Sequence, residues 1–208
     1  KTGFDRNLWI WERYEPKNKY FLVADVARGD GGDNSTFHII NSDTMEIVAE
    51  YCGKLPIDMF APLIFETGME YGGCLTVVEN NSIGLSVLDK LREMNHPNLY
   101  YSRKVSHEHV EASLAEYQKS VTAGFSTTVK TRPLIIAKLE ELIRNRVLKI
   151  NSIRLLNELK TFVWNNGRAE AMRGYNDDLV MAVAIACWVR DTVIVSSGYE
   201  AEYKKAML

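Results

Sequence analysis

A chain of 208 residues, 46% apolar and 25% charged with a formal charge of -2, carries enough apolar material for one compact domain with a sizeable core. No stretch approaches the roughly 18 apolar residues of a membrane span, no charged segment followed by a short apolar run marks a secretory signal, and no biased tract marks disorder. The near-neutral total argues against a surface coated in positive charge for bulk nucleic-acid binding, and the widely spaced Cys52, Cys74 and Cys187 read as reduced core residues in a cytosolic setting.

In chain order, a preface over residues 4–16 has Trp9 and Trp11 alternating with Leu8, Ile10 and Glu12 like a strand. Residues 20–25 read as a buried strand, residues 26–34 as a glycine-rich loop, and residues 36–40 and 46–52 as two further strands at hairpin separations, which predicts an antiparallel meander. The period turns helical from Pro56 to Glu70 and stops at Tyr71-Gly-Gly73. A short buried strand over residues 75–79, a helix over 83–94 with Asn81 and Ser82 as capping candidates, and a strand over 99–102 form a crossover unit. Residues 103–131 are polar and poorly periodic and read as a long functional loop. Helices over about 133–145 and 152–160, a hairpin around Asn165-Asn-Gly167 and a closing helix over about 176–191 complete the domain. The expected fold is α/β, a mixed sheet in which an antiparallel meander joins parallel strands, flanked by helices and carrying an added β-hairpin.

Three acidic positions interrupt apolar structure. Asp25 ends one strand, Glu79 ends another, and Asp177-Asp178 opens an apolar helix. Functional crevices of α/β sheets lie beyond the carboxyl ends of the strands. Parallel neighbours would bring Asp25 and Glu79 to one edge, where the acidic helix start adds a third carboxylate. Unpaired carboxylates at close range raise each other's pKa unless a cation intervenes. Oxygen donors without nearby Cys or His favour magnesium or manganese over zinc, and a pair of such ions supports in-line displacement at phosphorus. Asp33, eight residues after Asp25 in the glycine-rich loop, adds a candidate fourth ligand. Each acid also has an ordinary explanation when taken alone: turn chemistry for Asp25, and capping and dipole matching for the pair.

Residues 130–173 hold ten Lys/Arg against four Glu, a local charge of +6. The remainder of the chain is therefore -8, and the near-neutral total conceals a basic stretch suited to phosphate. Arg168 and Arg173, on the hairpin that leads to the acidic pair, stand out as candidate DNA contacts beside Lys130, Arg132, Arg146 and Lys149. His107 and His109 alternate in a loop and read as exposed, while His38 and His96 read as structural.

Phe21-Leu-Val-Ala-Asp25 with its glycine-rich loop, Val77-Val-Glu79-Asn80-Asn81-Ser-Ile-Gly84, residues 155–164 followed by a hairpin, and Tyr175-Asn-Asp177-Asp178-Leu-Val-Met-Ala182 together resemble the nuclease domain of tailed-bacteriophage terminase large subunits. The resemblance spans about residues 19–190 and implies an RNase H-like fold, with residues 1–18 as an N-terminal extension, 19–191 as the nuclease domain and 192–208 as a tail. It further implies a magnesium- or manganese-dependent endonuclease that cuts concatemeric double-stranded DNA during genome packaging by two-metal phosphodiester hydrolysis.

Carried over by position, Asp25 becomes the central bridging ligand, Glu79 the second and the Asp177-Asp178 pair the third, with Asp178 favoured over Asp177 and Asp33 as the additional acid. Asn176 stands where the family often has His. The implied partners are double-stranded DNA read with little sequence preference, an upstream ATPase domain, the portal ring and the small terminase subunit, and no membrane. The implied location is the host cytoplasm at the procapsid portal, outside the mature virion. No lysine-bearing phosphate loop is present, so no ATP site is expected. A chain that begins at Lys1 is then expected to be a nuclease domain separated from its motor. The rival readings are a RuvC-like junction resolvase on the same fold, a non-catalytic docking module whose acids only cap and turn, and an actin-like ATPase, which lacks a second phosphate loop.

Overall fold

The computed structural model describes residues 6–27, 32–81, 83–103 and 121–190. His107, His109 and the tail 192–208 lie outside them. The centre is a five-stranded sheet in the order β1-β4-β3-β2-β5, built from Leu8–Ile10, Tyr20–Asp25, Ser35–Asn41, Glu46–Gly53 and Leu75–Val78 as β1 to β5. β2, β3 and β4 form the expected antiparallel meander, and β5 lies parallel to β2. β1 pairs antiparallel with β4, so residues assigned by the sequence to an extension ahead of the domain supply the edge strand of its sheet. The strand-like alternation around Trp9 is legible in the sequence, but its pairing with β4, far along the chain, is not.

The other elements are α1 (Ile57–Glu70), α2 (Gly84–Glu93), the short pair β6 (Tyr101–Arg103) and β7 (Val121–Ala123), α3 (Thr131–Arg144), α4 (Ile153–Thr161), the hairpin β8–β9 (Phe162–Asn165 and Arg168–Ala171), and α5 over residues 178–190. Ile83 occupies the capping position of α2 and offers no side-chain acceptor; Asn81 donates to Glu79 and to the Thr127 carbonyl, and the other capping candidate, Ser82, lies outside the described residues. On the free edge of β5, Thr76 bridges to Leu99 and Glu79, just past the strand, bridges to Phe125, while Tyr101 and Gly124 bridge each other, so the described end of the 103–131 loop is ordered against the sheet.

Side-chain alternation along β2 and β5 separates two cores. Leu22, Ala24 and Val78 pack with Phe60, Ile64, Val87 and Leu91 of α1 and α2 on one face. Phe21, Val23 and Val77 pack with Ile135, Leu139, Leu155 and the apolar run of α5 on the other. Residues 179–187 are all buried, which explains a helix that is apolar all round. The three cysteines are free thiols.

Candidate metal centre

The same alternation decides where the acids go. In the β2–β5 register Val23 lies opposite Val77 and Ala24 opposite Val78, and the Glu79 amide donates to the Ala24 carbonyl at 2.9 Å. One residue further on, Asp25 and Glu79 share the parity of Val23 and Val77, so both carboxylates face the α5 side at the carboxyl edge of the sheet.

Glu79 is held there by two glycines. A Cβ on Gly84 would sit 1.7 Å from the Glu79 carbonyl oxygen, so the start of α2 reaches the strand end only without a side chain. Gly124 has φ +78°, and a Cβ there would lie 2.4 Å from the Val78 carbonyl and 2.8 Å from Leu88. The Glu79 side chain accepts from Asn81 Nδ2 at 3.0 Å, and that same amide also donates to the Thr127 carbonyl at 3.1 Å.

The start of α5 is stitched to the opposite side of Asp25. Thr36, the β3 partner of Asp25, donates its hydroxyl to the Asp178 carbonyl at 3.1 Å. Asp178 Oδ2 accepts from the Asn34 amide at 2.9 Å and from Asn176 Nδ2 at 3.1 Å. His38 Nε2 lies 3.1 Å from the Leu179 carbonyl, and behind it the fully buried Glu50 accepts from Arg154 Nε at 2.7 Å. Arg154 in turn lies 4.0 Å from the Trp9 ring centroid, so the residues before β2 brace the network.

The adjacent acids have different partners. Asp177 Oδ2 takes Arg132 Nη2 at 2.7 Å, and Arg132 also donates twice to the Ala169 carbonyl, at 3.1 and 3.2 Å. Among the described residues Asp25, Glu79 and Asp178 form no ion pair. Burial raises the Asp25 pKa well above the usual carboxylate range, and the neighbouring Glu79 carboxylate, which also hydrogen-bonds it, adds to the rise ahead of Asp178 and Asp177. Burial likewise pushes Asp178 up to about 6 against the pull of the Asn34 amide, with Asp33 and Asp177 adding repulsion. Asp33 itself is exposed in the segment beside Asp178.

A fourth acid withdrawn from solvent, Glu158, carried no sequence signal because its partners lie 21 and 22 residues away. From α4 it accepts the Leu179 and Val180 amides at 2.9 and 3.2 Å, capping α5 directly behind the acidic pair. Burial pushes it up to about 8, with Asp178 and Asp177 repelling it against those two hydrogen bonds.

Among the described residues no three His, Cys, Asp or Glu side chains are closed into a metal-binding group. The acids form an open cluster: Asp25 and Glu79 touch, while Asp178 is turned onto Asn34 and Asn176. The donor set nevertheless suits a hard divalent cation. It is all oxygen, no cation of the described residues compensates it, and its mutual repulsion is relieved by positive charge.

The six candidate DNA contacts divide. Arg132 and Arg168 line a cleft beside Glu79, and Lys130 and Arg173 are exposed on the elements that flank it. Arg132 is occupied by Asp177, and Arg168 lies 3.5 Å from Glu170. Lys149 bridges to Glu46 at the start of β4, which runs parallel to β2, so Lys149 and nearby Arg146 belong to the opposite sheet edge. Six-residue β2 separates the two edges by about 17 Å at the usual rise per residue. The +6 stretch is therefore not one patch, because α3 carries the chain from one edge of the sheet to the other.

No protein-family model matches the chain. Solved structures do match its fold. The large terminase nuclease from thermophilic phage G20c with bound magnesium is 17% identical over 90% of this chain and 88% of that one, with a TM-score of 0.68. The same nuclease with bound cobalt gives 19% identity, the same coverage and a TM-score of 0.63. The large terminase nuclease domain of Thermus phage P74-26 is 19% identical over 86% and 84% of the two chains, with a TM-score of 0.61. The chain has the RNase H-like fold of phage large terminase nuclease domains, a mixed sheet flanked by helices with an added hairpin.

Proposed function

We propose that this chain is the nuclease domain of a phage terminase large subunit, a metal-dependent endonuclease that cuts concatemeric double-stranded DNA during packaging. The observation that carries the reading is the convergence of Asp25, Glu79 and Asp178 on one sheet edge, partly buried, with Asp25 and Asp178 raised in pKa and no ion pair to the three among the described residues. The fold shared with nucleases solved with bound magnesium and cobalt supports it.

In this reading Asp25, Glu79 and Asp178 hold two magnesium or manganese ions, with Asp33 as a further acid at the rim. Divalent ions, when bound, stabilise charge on phosphoryl oxygens and activate water for in-line displacement. The protein's own contribution is orientation. Asn34 and Asn176 aim the Asp178 carboxylate, Asn81 steadies Glu79, and Arg132 engages Asp177, leaving Asp178 as the ligand of the pair. Lys130, Arg168 and Arg173 flank the acids on the side where a phosphate backbone approaches, whereas Arg146 and Lys149 face DNA only if it wraps the far edge. The ATPase domain, portal ring and small subunit remain the proposed partners, at the procapsid portal in the host cytoplasm. Among the described residues no helix is long and apolar enough to cross a membrane.

Nicking of supercoiled plasmid tests the assignment. The wild-type protein cuts in magnesium or manganese and stops in EDTA, while Asp25→Asn, folded by circular dichroism, is inactive. Undiminished cutting by that variant overturns the reading.

A further inference from the structure

Beside Glu79 a cleft of about 530 Å³ opens between the start of α3 and the β8–β9 hairpin. One wall is Val129, Pro133 and Ile136; the other is Trp164 with the backbone of Gly167 and Ala169. Trp164 is 60% exposed, an unusual cost for the largest side chain on a two-stranded ribbon. Arg168, 68% exposed at its side chain, stands on the same ribbon, and exposed Lys130 lies at the start of α3. A flat aromatic wall with cations at the rim and a metal-binding carboxylate at one end matches the parts of a nucleotide: base, phosphate, and the adjoining phosphate to be cut. The volume falls within the range of small-ligand pockets, which begins at roughly 300 Å³. It is large enough for one nucleotide, and a base can lie flat on Trp164 only when it has left the stack of its own strand.

We propose that this cleft binds a single unpaired nucleotide next to the scissile phosphate, with its base stacked on Trp164 and its phosphate against Arg168. The inference rests on the nuclease reading and sharpens its substrate: DNA that is locally unpaired at the cut is bound more tightly than continuous duplex. Glu79, at the end of the cleft, sets the distance between the stacked base and the phosphate cut. Hydrogen-bond readout of the base is not needed, because every base presents a face for stacking.

Fluorescence anisotropy in calcium, so that DNA is bound without being cut, compares one duplex with the same duplex carrying a central unpaired stretch. Wild-type protein prefers the unpaired form. Trp164→Ala loses about tenfold in affinity for that form, the scale of one stacked base, and changes less than about twofold on the continuous duplex. Trp164→Phe restores most of the preference. A 5-iododeoxyuridine in the unpaired stretch photocrosslinks to the hairpin peptide in the wild type. Equal loss on both DNAs, or no loss on either, overturns the proposal, and so does a crosslink that maps elsewhere. A protein that nicks plasmid and is inactivated by Asp25→Asn but shows no unpaired-DNA preference refutes the cleft alone; one that binds neither DNA refutes both readings.

Discussion

Asp178→Asn is expected to stabilise the metal-free protein. The folded pKa of Asp178 is about 6, against an ordinary value of 3.8. At roughly 1.4 kcal/mol per pH unit, that difference corresponds to about 3 kcal/mol. The group is only part-buried, so solvent screening brings the expected gain to about 1.5 kcal/mol. The substitution keeps an oxygen to accept from Asn34 and Asn176, which isolates the charge. For a domain of this size that gain corresponds to about 3–6 °C in Tm.

The sign follows from proton linkage. A folded pKa above the unfolded one means the native state binds more protons between the two values, so wild-type stability falls as pH rises from about 4 to about 6 and the deficit is complete above that. Thermal melts in EDTA at about pH 7.5 should therefore show the variant above wild type, with the two converging near about pH 4. Manganese reverses the order, because the wild type gains binding free energy that the variant lacks. A variant less stable than wild type in EDTA at neutral pH refutes the idea that these acids repel one another in the absence of metal.

Gly84→Ala forces the start of α2 away from the Glu79 carbonyl and should abolish metal-dependent nicking while far-UV circular dichroism stays near wild type. Arg132→Ala frees both Asp177 and the hairpin carbonyl of Ala169 and is expected to cost about 1.5–3 kcal/mol in urea unfolding; Arg132→Lys recovers little, since a point cation does not replace the fork. Glu158→Ala removes the cap of α5 and should lower stability by about 1 kcal/mol relative to Glu158→Gln, which keeps an acceptor and, by the same linkage as Asp178→Asn, melts above wild type at neutral pH. Glu50→Ala strands the Arg154 guanidinium and should destabilise by about 3–5 kcal/mol, the range for breaking a buried pair.

What the sequence made legible were features encoded within a few residues of themselves. The apolar run before Asp25, the short buried strand before Glu79, the Asn-Gly turn of β8–β9 and the unbroken apolar stretch of α5 all have local patterns, and all stand in the structure. The edge placement of Asp25 and Glu79 follows from strand parity once β2 and β5 are parallel. Features set by long-range packing were not legible. The Arg132–Asp177 pair spans 45 residues, and Glu158 caps a helix through an amide 21 residues on. Asn81 looks like a helix cap locally, but α2 begins only at Gly84, and the Asn81 amide group donates instead to Glu79 and the Thr127 carbonyl. Charge summed along the chain also misled, because a basic stretch that traverses the sheet delivers its cations to two edges.

The most direct test of the metal centre is a crystal soaked in manganese, with anomalous differences measured at the manganese edge. Peaks are expected between the carboxylates of Asp25, Glu79 and Asp178, with Asp178 rotated off Asn34 and Arg132 still on Asp177. Manganese bound elsewhere, or absent from this edge at millimolar concentration, would contradict the assignment of these three acids as its ligands.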